Sequence, residues 1–243
     1  MQKLYINHLL NLLPCFKHRF RFYSLILSLK TACVFIFALF NLNLYAQKEQ
    51  TLYYEATCTY KIESAGPIDK GAEAFYKNTR FVLYLKGTWT RTDLNSSSGN
   101  TITLHDSKQQ IGVIMNDYGN QKILVRMNQE ELKDKNKQFD QKTIELKEDT
   151  RNILGYNCRL AIIKLSDGTE FRVYYAPDIL FSNKQFDSPF HDLPGFPLEY
   201  EVMMGSMKFR YLATQISFDA VPSAMFDIPK SGYREMKYSE SKN

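Results

Sequence analysis

A strict alternation of side chains along one segment restricts the fold of this chain more than any other feature of its sequence. From Thr51 to Glu63, an apolar residue occupies every second position. Alternate residues of a β-strand point to opposite faces, so a period of two predicts a strand with one buried face. Such strands are typical of antiparallel sheets that cover a core on one side. The apolar positions are Leu52, Tyr54, Ala56, Cys58, Tyr60 and Ile62.

Further strand-like segments follow, separated by short turns and by a polar loop over 95–100. The strongest turn signals are Asp117–Asn120 and Ser166–Gly168, which predict tight hairpins. A charged stretch, Asn128–Lys142, predicts a helix with Asn128 as its N-cap, and a longer loop is predicted over Pro177–Asp192. About ten strands in succession predict a mainly β protein, an antiparallel meander with one or two covering helices. The other predicted strands are Arg80–Asp93, Thr101–His105, Gln110–Asn116, Lys122–Met127, Thr143–Glu148, Cys158–Leu165, Glu170–Ala176, Leu198–Met204 and Lys208–Phe218.

The first 46 residues have the composition of a secretory signal peptide. They contain an apolar run at Ala32–Phe40 and end with a small residue, Ala46, before Gln47. The sequence therefore predicts a signal peptide over 1–46, a single β-rich domain over 47–236 and a polar tail over 237–243. The apolar run is shorter than the roughly 20 residues of a membrane span, and an uncleaved anchor is the alternative. Because Gln47 is not a cysteine, lipidation at this point is not predicted.

Removing this leader removes the net charge of the chain. The whole sequence has 31 basic and 26 acidic residues. Five basic residues and no acidic ones lie in the leader, which leaves 26 of each sign. A neutral domain gives no reason to expect nucleic acid as a partner. We therefore expect a protein of the periplasm or the extracellular space, with no stable membrane span after cleavage.

Few residues after the leader could carry catalysis or bind a metal. His105 and His191 lie far apart, and with Cys58 and Cys158 they match no zinc spacing. Nucleophile-elbow, zinc-protease and phosphate-loop motifs are absent, so the sequence predicts no enzyme activity, metal or cofactor. Cys58 and Cys158 could form one disulfide in an exported protein. The alternative is that both are small buried residues, and the position of Cys158 in phase with apolar neighbours argues against a nucleophile.

The 16 tyrosines and 17 phenylalanines of the chain allow two interpretations. Aromatic residues are common strand formers and core fillers. Alternatively, aromatic, aliphatic and methionine side chains line a concave apolar wall that binds a hydrophobic ligand. The candidates for that wall are Leu83, Leu85, Trp89, Ile111, Val113, Met115, Val202, Met204 and Phe209.

Three short blocks in the second half of the chain resemble a family of secreted Bacteroidetes-type proteins, the DUF4412 type. Ile153–Cys158 matches its I-x-G-Y-x-C element, which precedes a hairpin. Leu193–Glu199 is close to its G-x-P-L-E turn, and the third block runs from Ala213 to Tyr233. Together they cover roughly Arg151–Met236. The related GLPGLI group is also similar at Leu193–Gly195, but the chain continues with Phe196 and Pro197 where that motif has Leu and Ile.

This resemblance implies a fold similar to the LolA/LolB superfamily. That fold is an open half β-barrel around an apolar cavity, with helices on its open side. The implied function is non-catalytic binding of a hydrophobic or lipid-like small molecule in the cell envelope. The alternative is a structural or protein-interaction module with a self-filled core, using the loop over 177–196. An enzyme acting on envelope lipid or glycan, with Glu199 and His191 as the residues to test, is the third hypothesis.

Overall fold

The computed structural model describes residues 50–66, 76–183, 189–205 and 207–242. The predicted signal peptide lies outside these residues. Gln50–Asn243 form one compact unit. Its strands are β1 Thr51–Tyr53, β2 Glu55–Ser64, β3 Arg80–Lys86, β4 Trp89–Ser96, β5 Gly99–Asp106, β6 Ile111–Tyr118, β7 Gln121–Met127, β8 Thr143–Ile153, β9 Tyr156–Lys164, β10 Glu170–Ala176, β11 Ile179–Phe181, β12 Phe196–Met204, β13 Met207–Ser217 and β14 Arg234–Met236.

Twelve of these strands form one open sheet in the order β14-β7-β6-β5-β4-β3-β2-β13-β12-β10-β9-β8. All neighbours are antiparallel except β14 and β7, which are parallel. The sheet does not close on itself, since β14 and β8 lie at its two ends. The predicted mainly β, antiparallel meander with the open form of a half-barrel is confirmed. Two meanders, β2–β7 and β8–β13, meet where β2 pairs with β13.

Two strand predictions needed correction because turns interrupt them. The segment Arg80–Asp93 is a hairpin, in which Gly87 and Thr88 form a two-residue loop between Lys86 and Trp89. Gly87 has a φ of 56°, which favours glycine at the first position of a type II′ turn. The predicted strand from Thr51 is also divided, because Tyr54 separates β1 from β2.

The predicted helix forms but is shorter than its charged segment. Helix α1 spans Gln129–Asn136, and a 3₁₀ turn over Lys137–Phe139 follows. Asn128 is its N-cap as predicted: its side chain accepts a hydrogen bond from the backbone N–H of Glu131, whose carboxylate accepts one from the Asn128 backbone. This capping box satisfies two backbone donors at the helix start.

The sheet has two faces, which we name by what covers each of them. On the α1 face, Leu132 of the helix packs with Met127 and Val125 of β7. A Cβ at Gly112 would lie 2.8 Å from Met127 Cε and 3.2 Å from Leu132 Cδ1, so the absence of a side chain there lets both residues pack closely on the sheet. On the strap face, a C-terminal segment over 221–233, here called the strap, covers the middle of the sheet.

The strap is held to the sheet by polar contacts at its beginning. Lys86 Nζ donates to Glu55 Oε1 and to the carbonyl oxygen of Val221, each at 2.8 Å. The Val221 N–H donates to Glu55 Oε2 at 2.6 Å. These bonds from Lys86 and Val221 lower the pKa of the Glu55 carboxyl. Beyond the strap, Tyr238 and Lys242 of the predicted polar tail both contact Asp134 of α1.

Candidate functional site

The nine predicted wall residues do not share one face of the sheet. Leu83 and Leu85 lie on the α1 face, and by register Val202 and Phe209 do as well. Trp89 is the first residue of β4, after the turn at Gly87, and its side chain lies on the strap face. Ile111, Val113 and Met115 lie on the same face. The hairpin at Gly87 therefore divides the set. The side chain of Met204 lies outside the described residues.

Most of these side chains pack against the protein itself. Phe209, Leu83 and Leu85 are buried in the main core cluster. Val113 and Met115 are buried beneath the strap, in contact with its apolar residues. None of the nine is among the described lining residues of the apolar groove or of the polar cavity described below. Their role as ligand contacts remains a prediction.

An apolar groove of about 430 Å³ lies where the predicted long loop contacts the start of the domain. Strand β11, in this loop, pairs with β1 in parallel register, Leu180 opposite Leu52. The segment Phe190–Gly195 forms the other wall. Gly195 is required there, because a Cβ would lie 2.4 Å from the carbonyl oxygen of Ala176. The described lining residues of this groove are Leu52, Ile179, Leu180, Phe181, Phe190, His191, Asp192, Leu193, Pro194 and Gly195.

Aromatic contacts fix both walls of the groove to the sheet. The Phe181 ring lies 5.0 Å from that of Phe196, and the Phe190 ring lies 4.8 Å from that of Tyr200. Such ring pairs stabilise a fold beyond the area they bury. Leu52, by contrast, is 50% exposed, which is unusual for a leucine in a strand and marks the open side of the groove. The site is thus a formed groove with accessible hydrocarbon at its edge.

A charged cluster lies at one end of the groove. Lys142 Nζ donates to Asp192 Oδ2 at 2.8 Å and lies 3.1 Å from His191 Nδ1. His191 Nε2 is 2.9 Å from the same Asp192 oxygen. Since an ammonium group only donates, the tautomer with the proton on Nε2 satisfies both contacts of the ring. The bond from Lys142 lowers the pKa of the Asp192 carboxyl. Because the Lys142 side chain is only 3% exposed, it holds His191 and Asp192 in place.

His191 also lines a second, polar cavity of about 220 Å³ on the other side of this segment. Here it lies with His105 of β5, across from residues of α1. Burial lowers the pKa of the His105 imidazole, so the neutral ring is favoured. Gln110, in the neighbouring turn, has a φ of 53°, a left-handed conformation that costs energy in residues other than glycine. The described lining residues are His105, Gln110, Gln129, Leu132, Lys133, Asn136 and His191.

His105 and His191 lie far apart in the sequence, and nothing in it predicts that they line one cavity. Neither spacing nor motif links them, and yet both line the cavity beneath α1. The groove residues Leu180 and Leu193 were also not among the candidates that the sequence indicated. One signal did point there: the loop over 177–192 is rich in aromatic and apolar residues, which is unusual for a loop.

Of the two alternatives for Cys58 and Cys158, the structure has the second: both are free and buried, and no disulfide joins them. The register explains why. Ile62 lies on the same face of β2 as Cys58, and successive pairings through β13, β12 and β10 place Ala161 of β9 on that face too. Cys158 is three residues from Ala161 on β9, so its side chain points to the opposite face. The two cysteines therefore lie on opposite faces and four strands apart, roughly 19 Å along the sheet. A disulfide requires Cα atoms within about 7 Å. Burial raises the pKa of each thiol to about 12, which favours the inert, protonated form.

Glu199, which the enzyme hypothesis named as a residue to test, forms an ion pair with Arg151. Both of its carboxylate oxygens accept hydrogen bonds from Arg151 Nη1, at 2.6 and 2.7 Å. The Arg151 guanidinium also lies 4.2 Å from the ring centre of Tyr174. Among the residues that the structure describes, there is no group of three or more histidine, cysteine or acidic side chains that could hold a metal ion.

No family model and no curated protein matches this chain. Among solved structures it is similar to PNGF-II in two crystal forms, at 15% and 14% identity and TM-scores of 0.49 and 0.47. These matches cover 78% and 77% of this chain but only 33% and 32% of PNGF-II. MucB matches at 13% identity and a TM-score of 0.38, over 78% of this chain and 62% of MucB. At these values the similarities carry no inference about function. Within the described residues, no helix is long and apolar enough to span a membrane.

Proposed function

We propose that this protein binds a hydrophobic, lipid-like ligand in the cell envelope without catalysing a reaction. The observation that carries the proposal is the apolar groove between β1, β11 and Phe190–Gly195. Its volume of about 430 Å³ lies within the range of small-molecule sites, and most of its described lining side chains are apolar. The predicted signal peptide and the resemblance to the DUF4412 type support an envelope location.

The energy available from such a groove is comparable with the cost of association, even without a polar anchor. Burying hydrocarbon contributes about 0.8 kcal/mol for each CH₂ group, or about 8 kcal/mol for ten carbons. Association costs about 4–15 kcal/mol in lost freedom, so short chains bind weakly and affinity rises with chain length. The groove differs from the predicted wall on the sheet, although both use the same physical effect.

The test is a titration of delipidated protein with fluorescent fatty acids of several chain lengths. We expect saturable binding that strengthens with length. Leu52→Asn, which puts an amide on the exposed edge of the groove, weakens binding about tenfold through lost apolar contact. Leu154→Asn is the matched control, because Leu154 is 41% exposed and does not line the groove. Absence of saturable binding at every length would refute the proposal.

The alternative, an interaction module with a self-filled core, is favoured by one observation. On the α1 face, four aromatic residues fill the space between β2, β3, β12 and β13. The rings of Tyr200 and Tyr211 stack at 5.0 Å, and Phe81 meets Tyr211 edge to face at 5.2 Å. Tyr60 contacts Tyr200 at 5.5 Å and donates to the carbonyl oxygen of Pro197 at 2.8 Å. A protein that binds no fatty acid and yields no lipid on gentle extraction would support this function.

A further inference from the structure

His191 lines two cavities that differ in the residues around them. One is the apolar groove, and the other is the polar cavity beneath α1, where most of the described lining residues carry polar side chains. Lys142 and Asp192 both contact His191 and hold its ring in place, and the Lys142 side chain is almost completely buried. A molecule that reached past His191 would therefore meet hydrocarbon at one end and hydrogen-bonding groups at the other.

The polar cavity is rich in donors and has no carboxylate among its described lining residues. Lys133 supplies an ammonium group, and Gln129 and Asn136 supply side-chain amides. Gln110 contributes a third amide, although one of its N–H groups already donates to the carbonyl oxygen of Ser107 at 2.6 Å. Side chains with several donors are those that recognise carboxylate and phosphate oxygens.

The charged groups around this cavity also bear on the ligand that it could bind. Lys135, one position from the lining residue Asn136, is close enough to act on His105 as a positive charge. Asp106 acts on His105 with the opposite sign, and its own Oδ1 accepts a hydrogen bond from the Lys108 backbone. Asp192 is paired with Lys142. Lys133 is the cation of α1 that lines the cavity, and the acidic residues of α1, Glu130, Glu131 and Asp134, are not among its described lining residues.

We propose that the polar cavity binds the anionic headgroup of an amphiphile, a carboxylate or a phosphate, whose hydrocarbon chain lies in the apolar groove. This inference rests on the proposed function and adds the chemical class of the ligand. A volume of about 220 Å³ corresponds to roughly seven waters at about 30 Å³ each, which is enough for such a headgroup and its hydration. Lys133 and the α1 amides bind the headgroup, and His191 lies at its junction with the chain.

Three amphiphiles with the same twelve-carbon chain test this assignment: dodecanoate, dodecyl phosphate and dodecanol. Each displaces a fluorescent fatty acid from the purified full-length protein, below its micelle concentration. We expect at least one anionic compound to bind about tenfold more tightly than dodecanol, the effect of one charge-assisted hydrogen bond. The stronger of the two anions identifies the headgroup. Inorganic phosphate, titrated alone, shows whether the site takes the free ion.

Two variants of the cavity locate the effect. Lys133→Gln reduces the preference for the anion to about twofold and leaves dodecanol binding unchanged, as loss of a partly solvated charge predicts. Gln129→Glu places a carboxylate in the cavity and weakens anion binding further. Lys230→Gln is the control, because it removes the same charge from an exposed position on the strap.

The outcomes separate this inference from the function on which it rests. If none of the three amphiphiles binds, the proposed function and the headgroup site both fail. If dodecanol binds as tightly as the anions, or if Lys133→Gln has no more effect than Lys230→Gln, the groove is a ligand site and the headgroup assignment is wrong. Inorganic phosphate binding as tightly as dodecyl phosphate would also contradict the assignment, because the chain would then contribute nothing.

Discussion

Leu154 carries backbone strain in an exposed turn. It joins β8 to β9 with Gly155, and both residues have positive φ, at 53° and 84°. Two consecutive positive φ values define a type I′ turn, in which Asn-Gly is strongly preferred. A leucine in the left-handed region costs roughly 1–2 kcal/mol, because its Cβ approaches the following carbonyl oxygen. Little burial offsets this cost, since the side chain is 41% exposed.

Leu154→Asn should therefore stabilise the protein by about 1 kcal/mol, since asparagine tolerates the left-handed region. Urea unfolding measures the change as a higher midpoint with an unchanged slope. Asn152→Ala serves as the comparison in the same turn: it removes the side-chain oxygen that accepts from the Gly155 N–H, and it should lower the midpoint. A lower midpoint for Leu154→Asn would show that the leucine makes a contact that outweighs its strain.

Single residues were predicted best where local chemistry decides their role. Asn128 was identified as an N-cap from its position before a charged helix, and it is one. Cys58 and Cys158 were predicted to be either bridged or buried, and sequence separation could not decide. Whether the two cysteines are neighbours depends on the order of the strands in the sheet, and four strand pairings separate β2 from β9. His191 shows the same limit, since its contact with Lys142 joins residues 49 positions apart.

Helix α1 is an element with little apolar packing of its own. Leu132 is its buried residue, while its other side chains are exposed or partly so. Short isolated helices are marginal in water, so the capping box contributes a large share of the local stability. The loss of one turn of α1 would remove Gln129 and Lys133 from the polar cavity.

Asn128→Ala should cost about 1 kcal/mol, the usual value for loss of an N-cap. The effect should be concentrated in α1, with faster amide hydrogen exchange over Gln129–Asn136 than in the sheet. Lys135→Ala, an exposed change in the same helix, is the control and should alter exchange little. Equal acceleration in the sheet would mean that α1 unfolds together with the whole domain.

Elements that depend on distant partners were the ones missed in the sequence. Strand β11 has three residues and exists because it pairs with β1, about 130 positions earlier in the chain. The turn at Gly87 was read as part of a strand, since the residues on both sides have high β-propensity. One glycine with positive φ reverses the chain there and places Trp89 on the opposite face from Leu85.

At the scale of the whole molecule, the strap completes a second core. Its residues Val221 and Phe226 pack on Leu104, Val113 and other side chains in the middle of the sheet. Without it, an apolar surface in the centre of an open sheet would face water. The mainly β, open architecture was predictable because alternation and turns recur along the chain. The strap was not, because an irregular segment has no period that reveals what it covers.

Phe226→Ala should destabilise the protein by about 3 kcal/mol, the lower end of the range for a buried phenylalanine, because Phe226 belongs to a surface segment. The residue is 8% exposed, and its ring lies 6.3 Å from that of Trp89. Chemical unfolding followed by tryptophan fluorescence reports both the stability and the environment of Trp89. Ser223→Ala, an exposed change in the 3₁₀ turn Ser223–Phe226 of the strap, should be near neutral. A loss below about 1 kcal/mol for Phe226→Ala would mean that the strap adds little to the core.

The pairing of β2 with β13 also sets the order in which the protein can fold. Arg210 and Glu63, an ion pair across these strands, are 147 residues apart, whereas most other strand pairs are neighbours in sequence. Each meander can form early from local contacts, but their junction must wait for the last part of the chain. Until then β2 and β13 are two unpaired edges, and exposed edges invite pairing with other chains. A chain that stops before β13 is therefore expected to aggregate, and newly made chains need protection until synthesis is complete.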